Sequence, residues 1–141
     1  MTANNEHQDR LKKHKEKVMQ RVQQKQLYSV MNDTKWRELQ NAVKTLQFPP
    51  PYQIKYVCDE NPYPETFDRD VSYWGDWSGE GLLPFFGVEW ICVRPRYIKC
   101  RGKLIDDEII DETIEFIAIM NNFSIPYIEK EGAYYIYGYK K

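Results

Sequence analysis

The stretch Phe85-Phe86-Gly87-Val88-Glu89-Trp90-Ile91-Cys92-Val93-Arg94 decides the fold. Phe86, Val88, Trp90 and Cys92 alternate with Phe85, Gly87, Glu89, Ile91 and Val93, which is the period of a β-strand. The second set is nearly as apolar as the first, so neither face suits open water and the strand belongs in the middle of a sheet. Pro95 closes it, and residues 97–100 make a short further strand.

Upstream, Tyr52, Ile54, Tyr56 and Cys58 alternate with Gln53, Lys55 and Val57, a second strand. Residues 59–70, with Pro62 and Pro64, read as a polar loop. Residues 71–77 read as a strand that runs into a Ser78-Gly79-Glu80-Gly81 turn. Earlier still, Asn32, Asp33 and Thr34 offer N-cap side chains to a helix that carries Trp36, Leu39, Val43 and Leu46 at helical spacing. The run Phe48-Pro49-Pro50-Pro51 ends that helix.

Downstream, Ile110, Ile114, Ile117 and Asn121 mark one side of a helix predicted from Asp107 to about Asn122. Asp106, Asp107 and Glu108 occupy its first turn, where the helix dipole favours negative charge. Tyr127-Ile128-Glu129, a Lys130-Glu131-Gly132 turn and a strand over residues 133–139 then form a β-hairpin. The sum is α+β: a single antiparallel sheet of four to six strands with two packed helices, in the order α-β-β-β-(β)-α-β-β. A helical or disordered N-terminal extension precedes it.

That extension divides the chain into a basic leader, 1–30, and an α+β domain, 31–141, with Met31 an alternative start. The leader holds seven Lys and Arg against three Asp and Glu; the rest holds thirteen against eighteen. A basic arm on an acidic body suits nucleic acid, an acidic partner or the body itself. With 42% hydrophobic and 15% aromatic residues the chain has the bulk for a core.

Both histidines, His7 and His14, lie in the leader. The body therefore lacks the commonest general base, the commonest metal ligand and the usual activator of a Ser or Cys nucleophile. Cys58, Cys92 and Cys100 show no C-x-x-C spacing, and the N-terminus lacks the apolar core of a signal peptide. These features suggest reduced thiols in a cytoplasmic protein. No run approaches ~18 apolar residues, so no membrane span is expected. Neither phosphate-binding glycine motif occurs. A non-enzymatic protein without metal or cofactor is the expectation. Hydrolysis by carboxylates Asp76, Glu80 and Glu89 is the remaining catalytic option.

Four surfaces are candidates for binding. Asp107, Glu108, Asp111, Glu112 and Glu115 would cover the outer face of the second helix and steer a cationic partner. Trp77, or the Tyr135 and Tyr137 stripe of the hairpin, would anchor it. Arg94, Arg96, Lys99, Arg101 and Lys103 form a basic cluster that either grips phosphates or protects a sheet edge. If Gly75 bends the strand, Trp74 and Trp77 share a face and, exposed, would stack a sugar or base with Asp76 or Glu80 accepting hydrogen bonds. Unbent, one indole enters the core and the other points outward; the plainer reading is that both anchor the sheet to the helices.

Asn32-Asp33-Thr34-Lys35-Trp36, Trp74-Gly75-Asp76-Trp77, Val88-Glu89-Trp90-Ile91, Ile125-Pro126 and Tyr137-Gly138-Tyr139 together resemble a small bacterial family of unknown function. The likeness spans roughly Met31 to Tyr139 and brings no established activity. Such small, acidic, aromatic-rich proteins are similar in character to immunity proteins of toxin systems. The leading expectation is thus a protein-binding domain, monomeric or weakly dimeric, whose partner is a protein such as a toxin. The alternatives are a nucleic-acid-binding accessory protein, using the leader and the basic cluster, and a small-ligand or carbohydrate module.

Overall fold

The computed structural model describes residues 2–78 and 82–141. The expected turn at Gly79-Glu80-Gly81, and with it the Glu80 carboxylate, lies outside the described residues. Helix α1 (Thr2–Gln24) leads through β1 (Tyr28–Ser29) to α2 (Asp33–Val43) and β2 (Tyr52–Tyr56). A 3-10 turn (Phe85–Gly87) enters β3 (Val88–Val93), followed by β4 (Arg96–Lys99), β5 (Glu108–Asp111) and α3 (Thr113–Asn122). Strands β6 (Ile128–Lys130), β7 (Ala133–Tyr137) and β8 (Tyr139–Lys140) complete the chain.

The fold is α+β, built on a four-stranded antiparallel sheet in the order β2-β3-β7-β6. Two-stranded ribbons, β1-β8 and β4-β5, lie outside it. Strand β3 is internal, as its two apolar faces require: Ile91 pairs with Ile54 on one side and Ile136 on the other. Ile54, Ile91, Val93, Tyr134 and Ile136 cover the inner face and meet Trp36, Leu39 and Val43 of α2 with Phe116, Ile119 and Met120 of α3. Burial of each such side chain contributes about 1.5–3 kcal/mol before entropy is set against it.

Local chemistry fixes the ends of these elements. The Asn32 side chain accepts a 2.8 Å hydrogen bond from the Lys35 amide, as an N-cap should. The β6-β7 hairpin turns at Glu131 and Gly132, both at positive φ (51° and 80°), the geometry of a type I′ turn. The leader is helical, and Val18 is fully buried against Val57 and Tyr139. His14 adds a ring contact with Phe86 at 5.5 Å, and Lys25 donates to the Val57 carbonyl at 3.2 Å.

Two expectations are corrected. The second helix begins at Thr113, not at Asp107, and Glu108–Asp111 is a strand. In that strand the register sets Asp111 opposite Arg96 and Glu108 opposite Lys99. Oppositely charged cross-strand pairs and two β-branched isoleucines favour the ribbon over a further helical turn. Nor do residues 71–77 form a strand. The prolines at 49–51 beside them lack N–H donors for a ladder. A Cβ on Gly75 would stand 2.2 Å from the Pro50 carbonyl oxygen, so only glycine fits this close approach.

Candidate functional site

Strand β2 is the edge of the sheet, and its free side is closed by a bridge in which Ile54 and Tyr63 exchange both backbone hydrogen bonds at 2.8 Å. Residues 73–76 return along the same strand, tied by the Gly75 amide to the Pro49 carbonyl at 3.2 Å. Between these segments opens a cleft of about 800 Å³. Tyr52, Tyr56, Tyr63, Tyr73 and Trp74 line it, with the carboxylates of Asp59 and Asp76. The volume falls within the range of roughly 300–1,000 Å³ common for small-molecule sites.

The rings are held from behind. Trp77 is 2% exposed, and its indole N–H donates to the Pro50 carbonyl at 2.8 Å. It meets Tyr52 edge-on at 5.0 Å. The Tyr52 hydroxyl donates to the Asp76 carbonyl. Trp74, 56% exposed, rests on Phe48 at 5.6 Å and Tyr97 at 6.2 Å. One indole is therefore core and the other is open to solvent, as residues three apart in an extended segment stand when no bend at Gly75 brings them to one face.

The electrostatics of the cleft are one-sided. Burial, reinforced by the charge of Asp76, raises the Tyr52 pKa, and burial with Asp59 raises that of Tyr56. Burial, Asp68 and Tyr63 do the same for Tyr73. The phenols thus stay protonated. Hydrogen bonds from the Ser78 hydroxyl and amide, helped by the charge of Lys44, hold Asp76 below the usual carboxylate range, so it is ionised. Among the described residues, no lysine or arginine lines the cleft.

The residues singled out from the sequence are dispersed. Trp77 is buried and is no exposed anchor. Asp107 is exposed in the β4-β5 loop, and Glu108 stands on β5, 3.9 Å from Arg101. Asp111 ends β5 and accepts from the Thr113 amide at 2.9 Å. Glu112 is buried and accepts from the Phe48 amide at 2.8 Å; burial raises its pKa despite that bond. Of the five acids, only Glu115 is an exposed helical residue.

Tyr135 and Tyr137 lie on the outer face of the sheet, half-buried and stacked at 6.3 Å, with Trp90 against Tyr135 at 5.6 Å. Lys130 and Lys140 cover these two rings. The basic cluster is similarly divided. Arg96 pairs with Asp70 at 2.5 Å, Arg94 covers Phe67, and Arg101 donates to the Asp106 carbonyl. Glu89 is paired with Lys55 at 3.1 Å rather than aimed at a reacting centre with Asp76. Cys92 is buried and its thiol pKa is raised. Among the described residues, no three His, Cys, Asp or Glu side chains are placed to hold a metal ion. No helix among the described residues is long and apolar enough to cross a membrane.

Sequence reasoning found Trp74 and Asp76 but missed the tyrosines and Asp59. Four of the eleven tyrosines fall between residues 52 and 73, the signal that marks this region; only the fold brings them around one space.

A family model for a family of unknown function (DUF6678) matches residues 18–141. The chain belongs to that family. The DUF6678 match includes every element of the sheet, the whole cleft and the buried Val18, and begins within α1. No curated protein and no solved structure matches the chain.

Proposed function

We propose that this DUF6678 protein is a non-enzymatic binding domain that seats a small ligand in the cleft beside β2. The observation that supports this is Trp74, exposed at the mouth of an aromatic cleft whose floor is fixed by the buried Trp77. A rigid, preformed, largely apolar cavity with a few polar groups is how small molecules are bound. Prepaid ordering of the rings lowers the entropic cost of binding. Among the described residues, the side chains around the cleft supply stacking faces, phenol hydroxyls and two carboxylates, but no imidazole or thiol nucleophile.

The test is a titration of the full chain, 15N-labelled, with monosaccharides, nucleosides and organic cations. At least one class should move the Trp74 indole N–H resonance while leaving that of the buried Trp36 in place, and Trp74→Ala should abolish the accompanying shifts of the backbone amides of Tyr73, Gly75 and Asp76. Silence across all three classes would remove the reading.

A protein partner is the second reading, favoured by a different surface. Leu104 is 99% exposed at the tip of the β4-β5 ribbon, and Ile105, Ile109 and Ile114 are also open to solvent. Exposed apolar residues of this density are typical of interaction surfaces. A toxin-neutralising role, with monomer or weak dimer as the free state, would use that surface rather than the acidic face expected from the sequence. Replacing Leu104 and Ile105 by Ser should then abolish capture of a defined partner while leaving small-ligand binding intact.

A further inference from the structure

Building on the cleft as a ligand site, we propose that its ligand is a small organic cation bearing an alkylated ammonium group. The aromatic faces supply the first reason. A ring presents negative charge on its face, and several rings around one space attract a soft, weakly hydrated cation. Tyr52, Tyr56, Tyr63, Tyr73 and Trp74 provide such faces around a volume of about 800 Å³.

The carboxylates supply the second. Asp76 is anchored at the Tyr52 end of β2, where its carbonyl accepts from the Tyr52 hydroxyl. Asp59 is anchored at the other end, its amide donating to the Tyr56 carbonyl at 3.2 Å. Among the described residues no three His, Cys, Asp or Glu side chains are placed to hold a metal ion, so these two carboxylates do not form a chelate. They create a negative field along the cleft, which suits a diffuse charge without N–H donors better than a metal ion or a guanidinium held by bidentate bonds.

The remaining lining decides between cation and sugar. Among the described residues, the cleft has no Lys, Arg, Asn, Gln or His, the side chains that would orient hydroxyls or neutralise an anionic ligand. Both acids are exposed, so their charge acts through space: an anion would be repelled, a neutral ligand would gain nothing from it, and a cation is attracted.

The experiment compares choline with 3,3-dimethyl-1-butanol, in which carbon replaces the quaternary nitrogen, on the full chain by the Trp74 indole resonance. Choline should bind at least about tenfold more tightly than its neutral isostere. Asp76→Asn, which keeps an acceptor for Ser78, should weaken choline and leave the isostere unchanged. Equal affinity for the two probes would overturn the cation and leave the cleft as a site for neutral ligands. No response to choline at ~10 mM, while a sugar or nucleoside binds, would do the same. If a trimethyl-lysine peptide binds but choline does not, the small-molecule source falls.

Discussion

At the scale of single residues, burial changes the meaning of a charge. Glu112 reads as part of a solvated acidic face, yet it is buried at the start of α3 with the Phe48 amide as its donor. Burial raises its pKa, the hydrogen bond from Phe48 opposes that rise, and the neighbouring Glu115 adds to it. The folded protein therefore holds this proton more tightly than the unfolded chain does. Stability is greatest below the ordinary glutamate pKa and falls as pH rises through the elevated one. Glu112→Gln keeps an acceptor for Phe48 and removes the titration. Denaturant melts should find it at least as stable as the parent at neutral pH, with the difference closing below pH ~4. Glu112→Ala leaves the Phe48 amide without its acceptor and should cost about 1 kcal/mol at either pH.

At the scale of elements, legibility followed the source of the stabilising interaction. Strand β3, helix α2 and the β6-β7 hairpin were legible because their signals are local: alternation on two faces, an Asn32 cap with apolar residues at helical spacing, and a turn needing positive φ. The β4-β5 ribbon was not, because Ile109-Ile110 with flanking acids fits one turn of helix as well as a strand. Pairing with Arg96–Lys99, not composition, resolves it. The cleft was half legible for the same reason, since Trp74 and Asp76 stand with Tyr73 in one short segment whereas Tyr52, Tyr56 and Tyr63 meet that segment only through strand β2 and the Ile54 bridge. Helix α1 gives the sharpest element-level prediction. Among the described residues of α1 only Val18 is fully buried, packed on Val57 and Tyr139, and an isolated helix of this length is marginal in water. Val18→Asp should release the helix, losing about 1.5–3 kcal/mol of docking. Hydrogen exchange should then show α1 amides unprotected while those of β3 and β7 stay slow; equal loss in both would mean that the helix and sheet unfold as one unit.

For the whole molecule, the charge is split between a basic helix and a cleft edged by carboxylates, and the two halves carry different proposals. Residues 1–17 hold five Lys and Arg against three Asp and Glu, and the family match begins only at residue 18. An interspersed acid such as Glu6, 4.0 Å from Arg10, further weakens the helix as a phosphate-binding surface. Replacing Lys12, Lys13 and Lys17 by Gln in the full chain separates the halves, since all three are exposed. Choline affinity should stay within about twofold, because exposed lysine charges are largely screened at physiological salt. Any retention of nucleic acid by the parent should be confined to low salt and disappear near 200 mM, with the substitutions lowering the salt slope by at most about 3. Binding of nucleic acid that persists at that salt and falls with these three lysines would make the helix the functional surface and reduce the cleft to packing.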